Sequence, residues 1–143
     1  MLVTILLGAA LIVATTFIHA GCTALIMSGV RATHVGDWVQ RNHWTRGSVI
    51  SGLVLALFLA SVAESGLWAG VYVWAGVIEG FEKAMYFSVV TYTTLGYGDI
   101  TLEKYWRLLG AFQAANGIII FGWSTAIIVS GVQHIYFDSP DAD

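Results

Sequence analysis

Long apolar runs alternate with short polar ones along this chain. Residues 1–30 hold no Asp, Glu, Lys or Arg, residues 48–78 hold only Glu64, and residues 108–137 again hold none. A helix that spans a bilayer needs about 20 predominantly apolar residues to cross about 30 Å of hydrocarbon. Each run therefore predicts a spanning helix, the second long enough to tilt. Residues 31–47, RATHVGDWVQRNHWTRG, carry three arginines, two histidines and two tryptophans, a mix that suits a loop at headgroup level. Residues 138–143, DSPDAD, form a short acidic tail with no room for a ligand-binding domain, so any gating is expected within the membrane part.

The stretch 79–106 breaks this pattern. Its first part, EGFEKAMYFSVVTY, reads as helix. About 12 residues at roughly 1.5 Å each reach only about 18 Å, little more than half the hydrocarbon thickness. Such a helix can enter a membrane and must then turn back. The segment that follows, TTLGYGD, is polar and glycine-bearing. Glycine content alone also fits an extramembrane hairpin that turns at Gly96 and Gly98. The half-length helix before it favours a re-entrant segment. Non-helical backbone at membrane depth is tolerated only where protein buries it or where it lines a water-filled path.

Composition narrows the class. With 57% hydrophobic and 10% charged residues and a mean hydropathy of +0.77, the chain is a membrane protein rather than a disordered one. Arg31, Arg41, Arg46, Lys83, Lys104 and Arg107 are too scattered for the basic stripe that nucleic acid requires. Nucleic acid is excluded as a partner. Cys22 is the single cysteine, so no internal disulfide forms. His19 and Cys22 share a helix face at a spacing of three, but two ligands in an apolar run fall short of a structural metal site. There is no Ser/His/Asp grouping in a soluble context, no phosphate-cradling loop and no carboxylate pair in a cleft-forming pattern. The sequence therefore reads as a non-enzyme without a cofactor.

Backbone carbonyls that point the same way can replace the hydration shell of a potassium ion without fixed charge. Alternate residues must then take conformations that glycine reaches cheaply, which accounts for Gly96 and Gly98 around Tyr97. TTLGYGD is similar to the filter signature of the pore-loop potassium channel superfamily. KAMYFSVVTYTTLGYGDI resembles its pore helix plus filter, and WRLLGAFQAANGIIIFGWSTA resembles its inner helix. The resemblance covers roughly residues 47–131.

It implies an all-α membrane protein with three transmembrane helices, a re-entrant pore helix and a selectivity-filter loop, tetrameric around a central pore. The corresponding division is an accessory helix over 1–30, a cytoplasmic basic loop over 31–47, a pore domain over 48–137 and the tail over 138–143. Within the pore domain the outer helix would cover 48–78, the pore helix and filter 80–99, and the inner helix 106–134. By the same resemblance, Thr94, Leu95, Gly96 and Tyr97 coordinate K+, Gly98 shapes the outer mouth and Asp99 stands behind it. Gly117 matches the glycine at which inner helices of the superfamily bend, and Ile118, Phe121 and Thr125 match residues that face the cavity. Periodicity alone would also let Gln113 and Asn116 line the cavity, whereas the resemblance turns Asn116 toward adjoining helices.

Three positions depart from the commoner pattern. Leu95 stands where valine or isoleucine is usual, Val90 where some members carry a glutamate that pairs with the filter aspartate, and Tyr86 where many carry tryptophan. The Tyr86 hydroxyl is then the expected donor to Asp99.

The filter mouth of this superfamily faces outward. That puts Arg31, Arg41 and Arg46 inside, as the positive-inside rule favours, with the amino terminus outside and the carboxyl terminus in the cytoplasm. HAGC at 19–22 is similar to a lipoprotein cleavage site, but His19 replaces the usual aliphatic residue and no basic region precedes it. The first helix lacks the arginine ladder of a voltage sensor. It is expected to pack around the pore through Thr15, Thr16, His19, Cys22 and Thr23.

Glu64 is ionisable midway along a membrane helix, which marks it as a functional candidate. It would face the pore helix or a neighbouring subunit and donate to backbone near the filter, or else pair with Arg107 or Trp68 and only fix packing. His19 and Glu64 are thus regulatory candidates beside the packing alternative. The expected protein is a homotetrameric, potassium-selective channel of the bacterial inner membrane, partnered by the bilayer and K+. A non-conducting regulatory subunit and the membrane subunit of a potassium uptake transporter stay open as alternatives.

Overall fold

In the computed structural model, residues 1–32 and 43–136 are described, and among them there is no strand. Helix α1 covers Leu2–Ala32, α2 His43–Trp74, α3 Phe81–Tyr92 and α4 Arg107–Tyr136. The fold is all-helical, and α1, α2 and α4 are long and apolar enough to cross a membrane. The 12-residue α3 is not.

Helix α2 departs from the expected 48–78 at both ends. It starts at His43: HWTRG contains no proline, and a helix can continue past the hydrocarbon among polar headgroups. The Ser48 hydroxyl donates to the Trp44 carbonyl at 2.9 Å, a bond of helical spacing. The Arg46 guanidinium lies 5.8 Å from the Tyr136 ring centroid, within cation–π range, and joins the start of α2 to the end of α4. The expected loop over 31–47 thus gives its last residues to α2 and Arg31 and Ala32 to α1. Its middle, 33–42, and the tail over 138–143 lie outside the described residues.

The other end of α2 stops at Trp74 because Gly76 takes φ 66°, the left-handed conformation that glycine adopts without steric cost. The Val77 N–H then bonds the Tyr72 carbonyl at 2.8 Å and the Gly76 N–H bonds the Val73 carbonyl at 3.0 Å. This pair of bonds is a Schellman cap. At the other flank of the pore segment, α4 runs Arg107–Tyr136 rather than 106–134, a shift of the size that helix ends commonly show.

Helix α3 lies between α2 and α4. Ala84 and Tyr92 on α3, Trp68, Ala69 and Tyr72 on α2, and Leu109 and Ile120 on α4 are buried together. Tyr72 meets Phe87 edge-on at 5.3 Å between centroids, and Tyr92 meets Phe121 at 5.8 Å, both within the range of favourable aromatic pairs. The tightest approach is at Gly117. A Cβ added there would overlap the carbonyl oxygen of Tyr92, so α4 passes directly against the carboxyl end of α3. The helix continues through Gly117 without interruption, and glycine at this position allows the close approach to Tyr92.

Helix α1 joins this unit by contacts whose numbers rise in step with those of α4. A side chain at Gly8 would strike the Phe112 ring, Asn116 Nδ2 donates to Thr15 Oγ1 at 2.7 Å, and Ser124 Oγ is 3.2 Å from His19 Nε2. The two helices therefore run parallel. Thr4 Oγ1 donates to the Tyr105 carbonyl at 3.4 Å, beside the segment that leads into α4. Two of the expected interhelical groups bond within their own helix instead. Thr16 donates to Ile12 and Thr23 to His19, both to backbone carbonyls at 2.8 Å, because the shortest reach of a helical threonine hydroxyl is to the preceding turn.

The contact at Gly117 can be tested directly. The atom in the way is backbone, so Gly117→Ala is expected to cost about 1–3 kcal/mol, the usual scale of overpacking, and to lower the thermal midpoint in detergent. Gly52→Ala serves as control, since its added Cβ meets nothing within 4 Å. An unchanged midpoint for Gly117→Ala would contradict the packing.

Candidate functional site

The site begins where α3 ends. Thr93 N–H bonds the Val89 carbonyl at 3.0 Å, Thr94 N–H the Thr91 carbonyl at 3.0 Å, and Gly96 N–H the Val90 carbonyl at 3.2 Å. The first donors of the loop thus fold back onto the last turn of α3. Val90 contributes here through its carbonyl, while its side chain is buried.

Beyond Tyr92 the backbone alternates in hand. Thr94, Gly96 and Gly98 have φ of 61°, 54° and 79°, while Leu95 and Tyr97 between them do not enter the positive region. In an extended strand successive carbonyls point to opposite sides. Reversing the hand at every second residue turns the alternate carbonyls round, so that they share a side. Glycine allows this at 96 and 98. Thr94 has no such freedom, and a β-branched residue at positive φ is an outlier that costs on the order of 1–3 kcal/mol and persists only where its surroundings impose it.

Asp99 accepts a hydrogen bond from the Tyr86 hydroxyl at 2.8 Å. Residues 93–99 are all exposed on the single chain, including the large side chains of Leu95 and Tyr97. On α4, Ile118 and Thr125 are open, and the Thr125 hydroxyl is turned back to the Phe121 carbonyl at 2.8 Å. Phe121, placed with them by resemblance, is partly buried and packs its ring against Tyr92.

Behind the loop lie two buried polar clusters. In the first, the Tyr72 hydroxyl donates to Gln113 Oε1 at 2.9 Å, Gln113 Nε2 donates to the Ser88 carbonyl at 3.2 Å and to the Ser88 hydroxyl, and Ser88 Oγ donates to the Ser65 carbonyl at 2.6 Å. Gln113 is fully buried, so of the two positions that periodicity offered to a cavity, neither is open: Asn116 bonds α1 and Gln113 clamps the middle of α3.

The second cluster is built on Glu64. Its Oε2 accepts from the Tyr92 hydroxyl at 2.7 Å, and its Oε1 is 3.0 Å from His19 Nδ1. Neither expected packing partner engages it. Arg107 Nε donates to the Leu102 carbonyl at 3.2 Å, and Trp68 Nε1 has no partner among the described residues. Nor does the carboxyl group donate to filter backbone. It faces α3 through a side chain, Tyr92, and faces α1 through His19.

Tyr72, Ser88, Tyr92, Gln113 and Ser124 were not marked as site residues by the sequence, except that Gln113 was a cavity candidate. Tyr92 left a trace, as the one aromatic in the run TYTT before the glycines. A lone carboxylate in a membrane helix implies a donor somewhere, but nothing in the linear pattern names which residue supplies it.

An ion channel family model ("Ion channel") matches residues 62–134, just over half of the chain. A curated relative, the potassium voltage-gated channel protein Shal of Drosophila melanogaster, is 33% identical over 61 residues, which are 42% of this chain and 11% of that protein. The chain thus spans about a tenth of the length of that relative. No solved structure matches. The matched residues take in α2 from residue 62 to its end, the whole of α3, the alternating loop and nearly all of α4. With those elements arranged as described, the chain belongs to the ion channel family, within the pore-loop potassium channel superfamily that its filter-like sequence resembles.

Proposed function

We propose that this chain is one subunit of a homotetrameric, potassium-selective channel, and that Thr94, Leu95, Gly96 and Tyr97 coordinate K+ while Gly98 forms the outer mouth. The observation that carries this reading is the alternation of positive φ at Thr94, Gly96 and Gly98 in a loop exposed on the single chain. Its carbonyls, gathered to one side, are neutral ligands suited to a desolvated monovalent cation. One such loop touches an ion from one side only. Four around an axis surround it, and cyclic symmetry closes the assembly without leaving an unpartnered surface.

Other features agree with this assignment. The carboxyl end of α3 carries the negative end of its dipole to the base of the loop, which favours a cation there. Leu95, Tyr97 and Ile118 are 55%, 67% and 62% exposed in one chain, surfaces that neighbouring subunits and the pore would occupy. If the filter mouth faces outward as in the superfamily, the amino terminus lies outside and the carboxyl terminus inside; the membrane in this reading is a bacterial inner membrane. The parallel course of α1 and α4 fits that orientation. The similarity to a Drosophila potassium channel protein supports potassium as the ion. Ions pass down their gradient through stacked sites by mutual displacement.

Purified full-length protein in liposomes should carry potassium flux that far exceeds sodium flux and is blocked by barium. Tetramers that form and carry no flux would overturn the channel reading in favour of a regulatory subunit. Gly98→Ala places a Cβ at φ 79°, a conformation that costs an L-residue roughly 1–2 kcal/mol, and flux through assembled tetramers is expected to fall sharply. Tyr86→Phe removes the donor to Asp99 and leaves the ring in place. It is expected to lower the open probability of single channels, and an open probability equal to that of the wild type would show that this bond does not support the filter.

A further inference from the structure

The cluster around Glu64 includes a side chain from each of the four helices. Ser124 of α4, His19 of α1, Glu64 of α2 and Tyr92 of α3 form one hydrogen-bonded chain, and none is more than 8% exposed. Tyr92 O–H donates to Glu64 Oε2, and the two ring nitrogens of His19 lie within hydrogen-bond distance of Glu64 Oε1 on one side and Ser124 Oγ on the other. The order Ser, His, acid is that of a hydrolytic triad, but no substrate reaches a serine enclosed in this way. The cluster holds Tyr92 instead.

Tyr92 is fixed at two points. Its carbonyl lies against Gly117 and its hydroxyl is held by Glu64 at 2.7 Å. Two residues later comes Thr94, whose φ of 61° is sustained only by its surroundings. A group that sets the attitude of Tyr92 therefore also sets the backbone at the inner end of the loop. Packing alone does not call for an ionisable pair here, since burying charge is costly unless partners match it closely.

We propose that His19 is a positioning residue for ion conduction. Through Glu64 it holds Tyr92, and with it the backbone at Thr94, so that α1 governs how long the filter stays conductive. This rests on the channel reading above. The same helix supplies its own comparison. Thr15 bonds Asn116 of α4 at 2.7 Å and has no hydrogen bond to His19, Glu64 or Tyr92, so it attaches α1 outside that hydrogen-bonded chain.

The test is a double-mutant cycle on single channels of the full-length protein in planar bilayers. His19→Phe and Tyr92→Phe should each shorten the mean open time by about tenfold, on the order of one buried hydrogen bond. The double variant should be no more than about twofold worse than either single variant, since both break one linkage. Thr15→Val should lower the thermal midpoint of the assembly and leave open times within about twofold of wild type. If His19→Phe does not assemble, His19→Leu, which has no polar group to offer Glu64, replaces it.

Multiplied effects in the double variant, an unchanged open time in either single variant, or equal shortening by Thr15→Val would each overturn the proposal while leaving the channel reading intact. A wild-type protein that neither conducts potassium nor is stabilised by it against heat would overturn both.

Discussion

Non-helical backbone cannot stand at membrane depth unless its polar groups are satisfied within the protein or by water. A 12-residue helix packed between spanning helices and too short to cross itself creates that demand at its carboxyl end, and much of this structure answers it. The N–H groups of Thr93, Thr94 and Gly96 return to carbonyls of α3. Donors are thus taken up at the helix, while residues 94–98 beyond it alternate in hand.

Holding that turn in place requires α3 itself to be held, and its polar attachments lie on three sides. Ser88 is bound from α2 and α4 together, Tyr92 from Glu64 on α2, and Tyr86 reaches forward to Asp99. Gly117 lets α4 approach close enough for the carboxyl end of α3 to rest on it. Buried polar groups cost free energy unless partnered, so side-chain networks of this kind restrict α3 to one position more strictly than apolar packing would. Within Tyr72, Phe87, Tyr92 and Phe121 the edge-on ring contacts fill the remaining space.

The ion channel family match starts at residue 62 and leaves α1 outside it, yet α1 contributes to the same interior. Thr15 and His19 are fully buried and bonded to α4 and to Glu64. The exposed apolar residues of α1, such as Phe17 and Leu25, face away from those contacts, as expected of a helix bounded by lipid on one side.

Hydrophobic run lengths and the TTLGYGD motif were enough to identify three spans, a half-length helix and a loop whose glycines require a special backbone. Those features are local, because span length and glycine conformation depend on a residue and its near neighbours in sequence. The end of α2 was also local in principle, since Gly76 caps it, but a glycine within a hydrophobic run does not announce whether it continues or terminates a helix. The partners of Glu64, the burial of Gln113 and the role of Gly117 were decided by tertiary structure. Each depends on which helix faces which: Glu64 meets residues 45 and 28 positions away along the chain, and Gly117 needs its hydrogen only because the backbone of Tyr92 lies against it. Periodicity can assign such residues to the inside of a bundle, but only the packing of α2 and α4 against α3, and of α1 against α2 and α4, fixes what they touch.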